Sequence, residues 1–269
     1  MNFNSIIDEK VISYSPLGGG CIGSCYRVKT TSRDYFIKYY SKTGISTEEA
    51  HGLKELEKSD TVKVPEALKF NDHFLVLNFI YQGAKIEGFQ KKLGTELARM
   101  HKTKAPRYGF YENNHIGSTP QINIEKENWI DFYIENRLDY QVSISGDKGI
   151  IDTYKKLRVK IPEILADSIE EPSLIHGDLW GGNVISNKEG EPVLIDPAVY
   201  YGNREMELAM TQLFGGFTAE FYNSYNTEYP LKAYWKERQN IYKLYHILNH
   251  FNLFGSGYKL HALELMMGY

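Results

Sequence analysis

The sequence predicts an α+β protein of two lobes, an N-terminal antiparallel sheet with one helix and a larger, helical C-terminal lobe. Three observations predict it. The first eighty residues are rich in short β-type runs, apolar residues recur at helical spacing after Gly83, and no long linker separates the two parts. The lobes are therefore read as 1–80 and 81–269, with a hinge near 77–83 and a cleft between them.

Tyr26-Arg27-Val28 alternates in polarity, a polar turn spans Thr30 to Asp34, and Tyr35 to Tyr40 is β-rich in type. A helix is expected from Thr47 to about Lys58, capped by Ser46 or Thr47, with Val64-Pro65 beyond its end. Phe74 to Phe79 reads as a further strand after a turn at Asn71-Asp72. Phe89, Leu93, Leu97 and Met100 then mark one amphipathic helix, and Trp129, Phe132, Tyr133 and Leu138 a second. Further helices are expected over roughly 150–168, 204–226 and 231–253. Val184-Ile185 and Val193-Leu194-Ile195 read as a small hairpin around the turn from Lys188 to Pro192.

Composition excludes several classes. Thirty-one Lys+Arg against 34 Asp+Glu leave a net charge of −3, which gives no reason to expect nucleic acid as a partner. The apolar run from Phe74 to Ile80 is broken by Asn78 and too short to span a bilayer, and MNFNSIIDEK lacks the features of a signal peptide. No membrane partner is expected. Two cysteines, Cys21 and Cys25, cannot build a scaffold of bridges, so a cytoplasmic location is expected.

Chemistry concentrates in a few places. Residues 18–23 fit G-x-G-x-x-G, but strand-like residues follow, and position 38 is a lysine where a dinucleotide fold needs an acid. A glycine loop between strands, with a lysine on the next strand, is how a protein-kinase-like fold covers ATP. Gly18, Gly19, Gly20, Cys21 and Ile22 would approach the phosphates, and Leu77, Asn78, Phe79 and Ile80 would meet the nucleotide at the hinge. Lys38 would pair with phosphate oxygens and with a helix carboxylate, Glu49 or, one position earlier, Glu48. Cys21 is read as a small loop residue, with oxidation of its thiol as the alternative.

His176-Gly177-Asp178-Leu179-Trp180-Gly181-Gly182-Asn183 matches H-x-D-x-x-x-x-N, and Asp196 ends an apolar run thirteen residues later. Asp178 is the expected catalytic carboxylate facing an acceptor hydroxyl, while Asn183 and Asp196 would hold Mg²⁺ against the ATP phosphates. His176 is read as a structural histidine, a proton-transfer role being the alternative. Glu205 follows Asp196 within nine residues, which leaves no room for a long activation segment and favours a small-molecule kinase.

The sequence resembles the fructosamine kinases (ketosamine-3-kinases), relatives of the aminoglycoside and choline kinases. The resemblance lies in the glycine loop, Phe36-Ile37-Lys38, Glu49-Ala50-His51-Gly52-Leu53 and Ile116 through Asn123. It continues through Trp129 to Leu138, His176 to Trp180, Asp196 to Gly202, Leu213 to Phe217 and Tyr245 to Gly255. Gly181 and Gly23 depart from residues frequent there. The resemblance implies ATP-dependent phosphorylation of the 3-hydroxyl of ketoamine sugar adducts, free or on glycated proteins, by a monomer or weak dimer. Trp180 could supply a flat platform for the sugar or brace the loop, and Asn123, Gln121, Trp129 and Arg137 could line the acceptor side. The apolar members of the Trp129–Leu138 stripe also suit a core, and Arg137 a structural pair. Two rivals remain at this point, an aminoglycoside- or choline-type hydroxyl kinase and a non-catalytic pseudokinase. Residues 81–269 carry 21 basic and 24 acidic side chains, without a carboxylate cluster suited to a polycation.

Overall fold

The computed structural model describes residues 3–18 and 23–269. Strands β1 (Val11–Leu17), β2 (Gly23–Thr30) and β3 (Asp34–Tyr40) are followed by helix α1 (Ile45–Lys58), β4 (Ala67–Phe70) and β5 (Phe74–Asn78). The strands form one antiparallel sheet in the order β1-β2-β3-β5-β4. Alternation along β3 decides which face each side chain serves. Tyr35 and Ile37 join Phe3, Val28 and Val76 on one face, whereas Phe36 packs with Ala50, Leu53, Leu75 and Leu77 beneath α1. Lys38 shares the parity of Phe36, so the pleat turns it toward the helix. Helix α1 starts at Ile45 after Gly44, without the side-chain cap expected of Ser46 or Thr47, because the Ser46 hydroxyl donates to the Asn71 carbonyl.

Helix α2 (Phe89–Met100) opens the C-terminal lobe and buries Phe89, Leu93, Leu97 and Met100, as their spacing predicts. A hairpin follows, β6 (Asn114–Ile116) with β7 (Thr119–Gln121). The second amphipathic stretch is α3 (Trp129–Phe132), capped by the Asn128 side chain, then π-helical turns over Tyr133–Asp139, then α4 (Tyr140–Ser145). The wider turns carry Tyr133, Ile134, Arg137 and Leu138 into the core together. Helices α5 (Lys148–Arg158) and α6 (Ile161–Leu165) divide the region expected near 150–168.

Four short strands frame the chemistry: β8 (Ser173–Ile175), β9 (Val184–Ser186), β10 (Pro192–Leu194) and β11 (Tyr200–Gly202). The β9–β10 hairpin is the one the sequence predicts, and β11 pairs antiparallel with β8, Tyr200 opposite Ile175. The expected helix over 204–226 is two helices, α7 (Arg204–Thr211) and α8 (Ala219–Glu228), since Gly215 and Gly216 between them take φ of +75° and +95°. Helix α9 (Gln239–Phe254) begins later than expected, and α10 (Lys259–Met267) packs on it. Rings of Trp129, Tyr133, Tyr200, Tyr242 and Tyr245 lie in the core of this lobe. The main chain also joins the lobes, Leu194 N–H donating to the Lys63 carbonyl at 2.9 Å. Among the described residues, no helix is long and apolar enough to cross a membrane.

Candidate active site

Strand β3 delivers Lys38 to the lobe junction with its side chain buried. Its ammonium donates to Glu49 Oε1 at 2.7 Å and to Asp196 Oδ1 at 2.5 Å. Burial alone would favour loss of the proton. The carboxylates of Glu49 and Asp196 outweigh that and hold the lysine's pKa well above its ordinary value. The other Glu49 oxygen accepts from the Tyr40 hydroxyl at 2.5 Å, so the glutamate is fixed from both sides. Of the two glutamates open to the sequence, Glu49 pairs with the lysine, and Glu48 turns instead to His115.

The loop that bears Asp178 and Asn183 leaves β8 at Ile175. Asn183 Nδ2 donates to the Asp178 carbonyl at 2.8 Å and lies 3.4 Å from Asp178 Oδ2. Asp196 stands at the end of the hairpin with a φ of +56°, a conformation that side-chain-bearing residues seldom adopt. Burial, reinforced by the charge of Asp196, pushes Asp178 up to about 7, with the Asn183 amide opposing. His176 is wholly buried and held near a pKa of about 4 by desolvation. Its Nε2–H donates to the Ile195 carbonyl at 2.9 Å, and its Nδ1 accepts the Asp178 N–H at 3.3 Å. A neutral imidazole spanning two loops fits a structural role.

Sequence reasoning missed Glu207. This buried carboxylate on α7 accepts the N–H groups of both His176 and Gly177 and so anchors the loop that bears Asp178. Burial pushes it up to about 8, which the two amides oppose.

Lys38, Glu49, Asp178, Asn183 and Asp196 all line one cleft of about 490 Å³. Trp180 and Phe214 edge it, ring centroids 6.2 Å apart, each about 40% exposed. The indole lies directly over Gly182, where a Cβ would come within 2.2 Å of Trp180 Cη2. Gly182→Ala therefore must displace the ring. We expect altered tryptophan emission with the melting temperature unchanged, read by fluorescence and thermal melting.

Four residues expected on the acceptor side lie in the core. The Trp129 indole N–H donates to the Tyr242 hydroxyl at 3.0 Å, and the residue is fully buried. Gln121 donates to Asn114 Oδ1 and the Ala198 carbonyl and accepts from Tyr245. Asn123 donates to Asn114 Oδ1 and the Glu112 carbonyl and accepts from Arg137 at 2.8 Å. Arg137 also donates to the Ile122 carbonyl and lies 3.9 Å above the Tyr200 ring. The amide hydrogens of Gln121 and Asn123 are spent inside the protein, and their side chains are buried away from the cleft surface. Their structural effect is to hold the β6–β7 hairpin against the segment just after Asp196. At the hinge, Leu77 is buried under α1, Asn78 Oδ1 accepts the Glu66 N–H at 2.7 Å, and Phe79 stacks on Arg27. Asn78, Phe79 and Ile80 line a second cavity with Lys188 and Glu189, separate from the cleft that holds Asp178. Gly18 is exposed, and Gly19, Gly20, Cys21 and Ile22 lie outside the described residues.

The family model described as fructosamine kinase matches residues 5–269. The chain belongs to the fructosamine kinase family. It is 40% identical to the chloroplastic protein-ribulosamine 3-kinase of Oryza sativa subsp. indica, an alignment covering 97% of this chain and 79% of that one. It is 33% identical to the ketosamine-3-kinase of Mus musculus, over 93% of this chain and 92% of the relative. A crystal structure of a candidate fructosamine-3-kinase from Thermobifida fusca YX-ER1 superposes with a TM-score of 0.89 at 27% identity, covering 97% and 94% of the two chains. Choline kinase LicA from Streptococcus pneumoniae, 18% identical with a TM-score of 0.67 over 99% of this chain and 96% of its own, shares the two-lobed kinase-like fold. As a member of the fructosamine kinase family, the chain is an ATP-dependent phosphotransferase.

Proposed function

We propose that this fructosamine kinase transfers the γ-phosphoryl group of ATP, with Mg²⁺, to the 3-hydroxyl of ketosamines such as ribulosamine, erythrulosamine or fructosamine adducts. The observation that carries the reading is the convergence of Lys38–Glu49, Asp178, Asn183 and Asp196 on one cleft. Asp178 orients the hydroxyl and accepts its proton as the new O–P bond forms and the bond to ADP breaks. Lys38, fixed by Glu49, faces the phosphate oxygens. Asn183 and Asp196 would offer hard oxygen donors to Mg²⁺, and a divalent cation held there would offset the repulsion that Asp196 exerts on a charged Asp178. Bound there, the ion supplies charge neutralisation on the phosphates.

The open, aromatic edge at Trp180 and Phe214 supports adducts carried by small amines or by lysines of glycated proteins. We read the enzyme as a monomer or weak dimer acting in the cytoplasm. A coupled assay with ATP and Mg²⁺ across the three sugar-amines, an aminoglycoside and choline tests the function. Turnover is expected on the ketoamines and abolished by chelation. Turnover on choline or the aminoglycoside alone would overturn the assignment.

A further inference from the structure

We infer that one stripe of α1 clamps this helix to the C-terminal lobe and thereby holds Glu49 against Lys38. Glu48, His51 and Glu55, with His115, Glu112 and Tyr201 opposite them, are then positioning residues for phosphotransfer. The inference rests on the kinase reading above. His115 Nδ1–H donates to Glu48 Oε2 at 2.5 Å, His51 Nδ1–H to Glu112 Oε1 at 2.7 Å, and the Tyr201 hydroxyl to Glu55 Oε1 at 2.8 Å. Positions 48, 51 and 55 follow i, i+3, i+7 and so share one face of the helix, while Glu49 lies about 100° around it. All three partners belong to the other lobe: His115 on β6, Glu112 just ahead of it, and Tyr201 on β11.

The place where the ties attach gives them a role in catalysis. β11 follows Asp196 and pairs with β8, which runs directly into His176 and Asp178. The β6 end is bound to the same frame, Asn114 Nδ2 donating to the Val199 carbonyl at 2.8 Å. A displacement of α1 would thus separate Glu49 from the carboxylates across the cleft. β11 and α7 follow Asp196 closely, so the chain has no long loop there that could reach back and set the helix. The ionisable ties are half-buried, with side chains 19–30% exposed, and bulk screening weakens them less than open surface pairs. A carboxylate can only accept, so each histidine donates through Nδ1–H whether or not the ring is charged, and more strongly when it is. The Phe70 and Tyr111 rings flank His51 at 5.6 and 6.1 Å and restrict its motion.

The Glu112→Ala/His115→Ala double variant tests the clamp while leaving the sequence of α1 intact. Hydrogen–deuterium exchange over 45–58 is expected to rise about tenfold or more, and kcat/KM for ATP to fall by about tenfold, the scale of losing charge-assisted bonds. Tyr201→Phe, whose lost hydroxyl lies outside the cleft, should give a smaller change in the same direction with the acceptor KM unaltered. His115→Gln in an otherwise wild-type chain keeps an N–H donor for Glu48 and should retain both readouts. Exchange of α1 at the wild-type rate in the double variant, or a rise spread evenly over both lobes, would overturn the clamp. Failure of the kinase reading shows separately, as a wild-type chain whose cleft gains no protection from ATP.

Discussion

Asp178→Asn is expected to lower kcat by about 10²- to 10⁴-fold, the range that removal of a positioned proton acceptor spans. KM for ATP should hardly move. The Lys38 ammonium is held by Glu49 and Asp196 rather than by Asp178, and the asparagine is close to isosteric. The half-buried carboxylate, set near a pKa of about 7 by burial and by Asp196, is replaced by a neutral amide that can still orient a hydroxyl but cannot take its proton. Loop geometry should persist, because Asn183 holds the Asp178 backbone carbonyl and Glu207 holds the amides before it. Single-turnover phosphotransfer alongside ATP binding by calorimetry separates the two quantities. Turnover within a few-fold of wild type would remove Asp178 from the chemistry.

Arg137→Ala is expected to cost about 3–4 kcal/mol of stability, the sum of a lost cation–π stack and buried acceptors left without their donor. In a chain of this size that lowers Tm by roughly 10 °C. The guanidinium is fully buried, donates to Asn123 Oδ1 and the Ile122 carbonyl, and lies 3.9 Å from the Tyr200 ring centroid. Loss of these contacts frees the β6–β7 hairpin from the core behind it. Kinetics measured well below the new Tm should show an acceptor KM near wild type, since the guanidinium does not line the cleft. An unchanged melting curve combined with a large rise in acceptor KM would instead make Arg137 a substrate contact.

The residues legible from sequence are those whose relation is local or periodic. Asp178 and Asn183 share one loop, Asp196 ends the hairpin that follows, and Lys38 has the strand parity that turns it under α1. Residues selected by tertiary placement were not legible. Glu48 and Glu49 are adjacent in sequence yet face different partners, and only the orientation of the helix decides between them. Gln121, Asn123 and Arg137 have the side-chain chemistry of a sugar subsite, and burial alone reveals that their bonds are internal. Glu207 carries no spacing signal, because a carboxylate thirty residues downstream of the loop it anchors looks like any helical glutamate. The single helix expected over 204–226 misses the break between α7 and α8, where Gly215 and Gly216 take positive φ.

The bonds of Lys38 to Glu49 and Asp196 give that ammonium a second duty, because they rivet β3 and α1 to the turn beyond β10. A silent form of the protein made by deleting this lysine would also be a loosened one, its halves left to the ties along α1 and the Leu194–Lys63 main-chain bond. Trapping experiments that need an intact but inert molecule are better built at position 178, where the charge is removed and the frame stays whole.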